Sequence, residues 1–305
     1  FLDWERKYGS VIKGLLARKK QRKESAAHTA SGPRYSLFLS FKEGMEELVK
    51  STAKSLGDMT FKFSLVVSNV EQNGSWKVNL ESGQTLEADA VCLALPAHQA
   101  AGILSSTAPQ LAGQLKTIPY ESVATVNLAF KRSDIPHPLD GFGFVVPAIS
   151  RRKIVACSFS SVKFSGRSPQ GMCLLRAFVG GALHRDVYAL DDETLKRTVL
   201  DELHHYLGIT AQPLFTSIHR YPGAMPQYQV GHLDLVKSIQ TQLIDFPGLY
   251  LAGNGYRGIG VPDCIQWAET AAEMMFVFLS KSQNNRVFNL VEMPSALNGE
   301  NSNGV

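Results

Sequence analysis

The residues best suited to chemistry form one segment, Leu249-Tyr-Leu-Ala-Gly253-Asn-Gly255-Tyr-Arg-Gly258-Ile-Gly260-Val-Pro262-Asp263-Cys-Ile265. An apolar run, read as a buried strand, delivers a turn with four glycines, and the turn feeds a helix. Glycines in such a turn let a bulky planar ligand approach the backbone, because no Cβ intervenes. Pro262 suits the first turn of a helix, and Asp263 complements its positive end. The free N–H groups of that helix start would stabilise negative charge on a ligand. Gly253-x-Gly255-x-x-Gly258 also spells the dinucleotide fingerprint. Two things are wrong for it: the helix begins after the third glycine, and no partner strand with an acidic end follows. The segment therefore reads as a ligand site of another kind, with a purely structural turn as the alternative.

Other reactive side chains add little. Cys92, Cys157, Cys173 and Cys264 form no Cys-x-x-Cys pair and have no His at metal-ligand spacing. They read as buried free thiols of a reducing compartment. His204 and His205 fall on a helical pattern and read as surface residues. His184, His219 and His232 are isolated and read as satisfied polar contacts. Asp191-Asp192-Glu193 reads as helix capping. No residue is assigned as catalytic, and none as a metal ligand.

The elements that must position the glycine segment follow from pattern. Residues 1–22 repeat apolar side chains at helical steps, and 23–34 read as a polar linker ending in Gly32-Pro33. Ser40, with Glu43 three residues on, starts a helix reaching Leu56. Thr60–Val70, Trp76–Leu80 and the strand resuming at Thr85, separated by Asn73-Gly74 and Ser82-Gly83, make a meander. Asp89–Leu95 is a buried strand stopped by Pro96. Two helices follow, Ala97–Leu104 and Pro109–Leu115. Strands are expected at 122–131, 142–147, 153–160, 172–179 and 216–221, with a clear helix at Asp191–Leu207. The last strand, 247–252, leads through the glycines to a helix from Pro262 to about Leu279, whose Ala268–Leu279 part reads as buried. The tail from Gln283 reads as disordered.

The whole chain has 305 residues, 44% apolar and 19% charged, with 31 basic and 27 acidic side chains. That balance excludes a wholly disordered chain, and a net charge of +4 is too small to argue for nucleic acid. No run of about 18 apolar residues would span a membrane. The basic run Arg18–Lys23 reads as a solvated loop.

Five segments in order carry a family resemblance. They are Tyr8-Gly-Ser-Val-Ile-Lys-Gly14, Phe41-Lys-Glu-Gly-Met45 with Leu48, Leu86-Glu-Ala-Asp-Ala-Val-Cys-Leu-Ala-Leu-Pro96, Ala224-Met-Pro-Gln-Tyr228 with Gly231-His232, and the glycine segment. Together they resemble the oxygen-dependent protoporphyrinogen and coproporphyrinogen oxidases of the flavin-containing amine oxidase superfamily, over about residues 1–280. The resemblance implies an α/β (α+β) fold. It combines a partial doubly wound FAD/NAD(P)-binding domain, lacking its N-terminal strand-turn-helix, with an inserted β-rich mixed-sheet substrate domain. It divides the chain into 1–34 (end of a helical membrane or substrate-side region, plus linker), 35–96 (middle of the FAD domain), 97–240 (substrate domain), 241–281 (end of the FAD domain) and 282–305 (tail). The chain opens on Phe1, and the family's pyrophosphate-binding turn is not found in it, so an N-terminally incomplete flavoenzyme is expected.

The same resemblance implies FAD as cofactor, a tetrapyrrole as substrate and dioxygen as acceptor, with no nucleic acid. It implies a cytoplasmic location with peripheral membrane contact, and a wide apolar pocket. Gly253, Asn254, Gly255, Tyr256, Gly258, Ile259, Gly260 and Val261 would run along the isoalloxazine. Val67 would pair with the adenine, Val66 fitting nearly as well. Val145 and Phe178 would sandwich one pyrrole ring. The alternatives are another amine oxidase or desaturase of the superfamily, with Tyr221 and Tyr256 as a poor aromatic pair, and a non-catalytic fragment unable to hold FAD.

Overall fold

The computed structural model describes residues 6–10, 13 and 38–284. Most of the helix expected over 1–22 lies outside the described residues, as does the tail expected to be disordered from Gln283, apart from Gln283 and Asn284, which end the last helix. Residues 1–56 and 57–305 are two compact units. In the first, helix α1 spans Glu46–Ser55. It starts later than the capping pattern suggests. Gly44 adopts φ 109° in a turn closed by its N–H to Phe41 O. The expected cap, Ser40, instead lies with its hydroxyl 3.8 Å from Met45 Sδ.

The second unit opens with a meander of β1 (Val67–Asn73), β2 (Ser75–Leu80) and β3 (Thr85–Ala88), antiparallel in that order. Both expected turns form, with Gly74 and Gly83 at φ 84°. Residues 60–66 are not strand, although their composition suggested it. Ser64 breaks the run at φ 58°, and Phe61 and Phe63 stack on each other while largely exposed. A run of strand-forming side chains without a pairing partner has no ladder to hold it extended.

Strand β4 (Val91–Leu93) pairs in parallel with β10, described below, at the far end of the unit. A parallel pair needs a crossover, and here everything between the two strands supplies it. Helix α2 (Ala97–Ile103) begins at Pro96, and Ala97, Ala100 and Ala101 are wholly buried, so neighbours approach its axis closely. Helix α3 (Pro109–Lys116) carries Pro109 in its first turn and buries Leu111, Ala112 and Leu115.

Then comes the insert: β5 (Tyr120–Lys131), β6 (Gly143–Val145), β7 (Ala156–Phe159), the short α4 (Ser160–Lys163), β8 (Met172–Gly180), the short α5 (Arg185–Tyr188), α6 (Asp192–Leu207) and β9 (Phe215–Pro226). The sheet order is β6-β7-β8-β5-β9. Every pair is antiparallel, so this sheet is not the mixed one expected. Hairpin-length connections suffice for antiparallel neighbours, and the long ones carry the helices. Alternation decides the two faces. Ala124, Val126, Leu128, Leu175, Ala177 and Val179 are buried beneath Leu195, Val199, Leu203 and Leu207 of α6. Asp191 caps α6 by accepting from Thr194 N, as its sequence suggests, and Gly208 ends it at φ 68°. Among the described residues, no helix covers the opposite face of the sheet. Pro222 sits in β9, an edge strand, where the missing donor is tolerated.

Helix α7 (His232–Leu243), which the sequence pattern did not single out, buries Val236 and Ile239. It packs in a second core with α2, α3, β1, β4 and Tyr256. Residues 97–118 thus share the core of the strands flanking the insert, although the sequence pattern grouped them with 97–240. Strand β10 (Leu249–Leu251) is set in place by β1 and β2, where Gln72 Nε2 and Trp76 Nε1 each donate to Pro247 O at 2.9 Å. Helix α8 (Val261–Asn284) closes the unit. Its apolar stretch was expected to be buried, yet Phe276 is 71% exposed. No helix among the described residues is long and apolar enough to cross a membrane.

Two of the four thiols depart from the expected burial. Cys157 and Cys173 are buried, and burial, then Cys173, pushes the Cys157 thiol up to about 12. Cys92 is exposed and Cys264 half-buried. Cys92 alternates with buried Val91 and Leu93 on β4, so its side chain takes the outer face of a two-stranded pair.

Candidate functional site

The glycine turn leaves the parallel pair under tight control. Ala252 N–H donates to Leu93 O, and Gly253 then adopts φ 124°, where side chains strain the backbone. The next three glycines have a reason other than the one expected. A Cβ on Gly255 would lie 2.5 Å from Tyr120 Oη. On Gly258, at φ 79°, it would lie 2.5 Å from Asp263 Cβ and Cγ, and on Gly260 2.9 Å from Asp263 Oδ2. The space a side chain would fill is thus already taken by the protein's own atoms, not held open for a ligand. What the turn turns outward is Ile259 and Val261, 52% and 48% exposed. Tyr256 points the other way, 1% exposed in the second core, and burial drives its phenol pKa far up.

Two side chains hold this turn from behind. Tyr228 Oη donates to Asn254 O at 2.6 Å. His232 Nε2 lies 2.9 Å from Tyr256 O, and since a carbonyl only accepts, Nε2 carries the proton. The two rings stack, centroids 4.0 Å apart and 11° from parallel. Asn254 Nδ2 adds a bond to Ala224 O, tying the turn to the end of β9. Partial burial, then Tyr120, pushes the Tyr228 phenol up to about 12, so it remains a donor at neutral pH. His232 is thus the satisfied polar contact expected of it, while Tyr228 stood out in the sequence only as part of the Pro-Gln-Tyr motif. Their i, i+4 spacing across Gly231 was the available signal.

The start of α8 is less generous to anions than its position suggests. Gly260 N–H is taken by Asp263 Oδ2 at 3.1 Å, and Pro262 has no N–H. Of the donors a helix start normally leaves over, those of Val261 and Asp263 remain, beside a carboxylate. Val67 begins β1 opposite Leu80 and packs its side chain against the second core, while Val66 is 57% exposed and gives its carbonyl to Glu81 N–H.

The pair Val145 and Phe178, expected to hold a pyrrole ring, lies on the open sheet face. Register places Val145 (β6), Ala156 (β7), Phe178 (β8), Thr125 (β5) and His219 (β9) in one row across it. Ala156 is small and lies between Val145 and Phe178, so those two side chains flank a slot about two strand spacings wide, roughly 9.6 Å between backbones. Val145 is 77% exposed and Phe178 half-buried. The neighbouring row is Ser158, Arg176, Asn127 and Ser217. The described residues do not by themselves enclose the wide apolar pocket expected from the resemblance. Two open concavities of the described residues, about 360 and 220 Å3, lie at the β9–α6 edge and beside the start of α7. Tyr221 lies on the open face, 45% exposed, while Tyr256 is buried, so they do not make an aromatic pair. Among the described residues no group of three or more His, Cys, Asp or Glu side chains could hold a metal ion.

The chain is similar to known proteins. The family model for flavin containing amine oxidoreductases matches residues 3–275. A coproporphyrinogen III oxidase of Bacillus subtilis (strain 168) is 31% identical over 281 residues, covering 92% of this chain and 59% of that protein. Protoporphyrinogen oxidase 2 of Arabidopsis thaliana is 25% identical over 304 residues, covering 92% and 59%. A crystal structure from Exiguobacterium sp. 255-15, provisionally named a protoporphyrinogen oxidase, superposes with TM-score 0.73 at 27% identity, over 93% of this chain and 58% of its own. A cyclohexylamine oxidase from Brevibacterium oxydans IH-35A, at 19% identity and TM-score 0.56 over 76% and 53%, shares the fold. The chain thus spans less than two thirds of the relatives it matches.

Proposed function

Because the chain belongs to the flavin containing amine oxidoreductase family, we propose that it forms the rear of an FAD site and the floor of a tetrapyrrole site in an enzyme of heme biosynthesis. That enzyme oxidises a porphyrinogen, either protoporphyrinogen IX or coproporphyrinogen III, to the porphyrin with dioxygen as acceptor. Bound FAD supplies the hydride acceptor that no side chain can provide. The residues present suit a flat ring. The turn is clamped from behind by Tyr228 and His232 and shows the exposed edges of Ile259 and Val261 in front. That one-sided clamping carries the reading: a surface turn fixed so firmly, yet with two apolar side chains exposed, is organised for a ligand.

In this reading Gly253, Asn254, Gly255, Gly258, Ile259, Gly260 and Val261 meet the flavin with backbone and exposed side chains. Tyr256 contributes only its backbone. Val67 meets the adenine end. The slot of Val145, Ala156 and Phe178 orients one pyrrole ring and excludes water from its faces. Were FAD bound here, the N–H groups of Val261 and Asp263 would favour negative charge beside them. The test has two parts. The purified chain is mixed with FAD and its visible spectrum taken; perturbed flavin bands support the site. The full-length enzyme is then assayed for oxygen-dependent oxidation of both porphyrinogens. A full-length protein that stays colourless with FAD, or oxidises neither, overturns the proposal.

A further inference from the structure

The insert and the glycine turn meet at one corner, and a histidine that the clamp does not use stands there. His98 is the second residue of α2, just past Pro96 at the carboxyl end of β4. That end lies beside the carboxyl end of β10, the parallel partner from which the glycine turn departs. Ligands of parallel sheets gather outside those ends. The His98 ring stands edge-on to the ring of Tyr120, centroids 4.8 Å apart at 76°. It also meets the backbone of Gly223, where a Cβ would lie 3.7 Å from His98 Cε1. Gly223 follows Tyr221 of the open sheet face by two residues and precedes Ala224, whose carbonyl receives Asn254 Nδ2 from the turn. Packing therefore holds His98 at the boundary between the open sheet face and the turn.

The other polar groups at this corner are committed. Tyr120 Oη accepts from Ala97 N–H at 3.0 Å. Tyr228 Oη donates to Asn254 O, and Asp263 Oδ2 accepts from Gly260 N–H. His232 spends a ring nitrogen on Tyr256 O, and farther along β9 His219 spends one on Ser217 Oγ. His98 is exposed and has no hydrogen-bond partner among the described residues. A neutral imidazole always offers one bare nitrogen, and imidazole is the commonest proton acceptor of enzyme sites. His98 thus combines a fixed ring with uncommitted nitrogens.

We propose that His98 is the base that takes the proton released when a porphyrinogen is oxidised. This rests on the porphyrinogen reading above. Each two-electron step breaks a C–H bond at a carbon bridging two pyrroles, and both electrons pass to FAD as hydride. A pyrrole N–H bond breaks as well. Its electron pair stays to make the new double bond, and its proton goes to the bare nitrogen of His98. The imidazolium, being exposed, hands the proton to water before the next step. Both candidate porphyrinogens share these bonds, so the role is the same for either.

The experiment uses the full-length, FAD-loaded enzyme and its His98→Ala and His98→Gln variants. Glutamine keeps bulk against Tyr120 and Gly223 but cannot take up a proton. Without dioxygen, the single-turnover rate of porphyrinogen oxidation should fall about 100-fold or more in both variants, the usual share of a positioned base. Added imidazole should restore the rate of His98→Ala by about tenfold or more, because it returns the base to the vacated space. Two readouts are independent of turnover. The FAD Kd, from flavin fluorescence quenching, should stay within about twofold in both variants. In the wild-type enzyme with labelled histidine, the NMR signal of His98 Cε1–H, identified by its loss in His98→Gln, should shift when the stable porphyrin product is added. A variant rate within about threefold of wild type, no rescue by imidazole, or a signal unmoved by porphyrin each overturns the assignment of His98. A loss of FAD affinity that matches the loss of rate also overturns it, since His98 would then only support the turn. A wild-type enzyme that oxidises neither porphyrinogen overturns the functional reading before any variant is compared, so the two failures are distinguishable.

Discussion

His232→Phe isolates the clamp behind the glycine turn. The substitution keeps a flat ring against Tyr228 but removes the donor from Tyr256 O, a bond of 2.9 Å between residues 7% and 1% exposed. Water does not easily replace it there. An orphaned buried carbonyl costs about 1–3 kcal/mol. The backbone escapes that cost by moving residues 254–258 outward, and a ligand that needs the original turn must then drive it back. At about 1.4 kcal/mol per decade, FAD affinity of the full-length enzyme should fall by roughly 5- to 150-fold. The assay is titration of the apoenzyme with FAD by flavin fluorescence quenching, alongside thermal unfolding. His232→Gln, whose amide can still donate, should recover much of the affinity. If His232→Phe lowers thermal stability but leaves the FAD Kd within twofold, the turn keeps its shape without the clamp, and the reasoning fails.

Gly258→Ala should lower the melting temperature of the chain without any flavin, by several degrees. The new Cβ meets the Asp263 side chain at 2.5 Å and the backbone is held at φ 79°. A melting temperature unchanged without flavin and lowered only with it would return the position to a ligand-clearance role. Phe178→Ala should weaken tetrapyrrole binding far more than FAD binding, measured as separate dissociation constants. Equal losses would make it a core residue. Arg185 bonds both oxygens of Glu121 and holds that carboxyl below its ordinary range. A depressed carboxyl contributes stability that is present above the ordinary glutamate pKa and lost as pH falls through the depressed value. Denaturant midpoints followed from pH 6 to about 3 should therefore fall more steeply for wild type than for Glu121→Gln; parallel curves would refute the pairing.

Much of the fold and part of the site could be read from local pattern, because local pattern is what decides helices, hairpins and caps. Asn73-Gly74 and Ser82-Gly83 need positive φ at glycine, so the meander was legible. Leu195, Val199, Leu203 and Leu207 repeat on one helical face, and Asp191 caps it, so α6 was legible too. The glycine turn between a strand and a helix, and the family it belongs to, were likewise carried by the residues themselves. Other features depended on partners distant in sequence. Residues 60–66 have strand composition but no strand beside them. Helix α7 is modest in pattern and gains its place by packing in the second core. The glycines at 255, 258 and 260 looked like clearance for a ligand, and only the folded chain shows Tyr120 and Asp263 already filling that space. His232 could not be linked to a carbonyl 24 residues away, nor Arg176 to Asn127 at a separation of 49, until strand register and helix packing were known. Sequence determines which conformations each segment prefers; which side chains meet is decided by the register and packing that bury the two cores, because those contacts form only when separate segments come together.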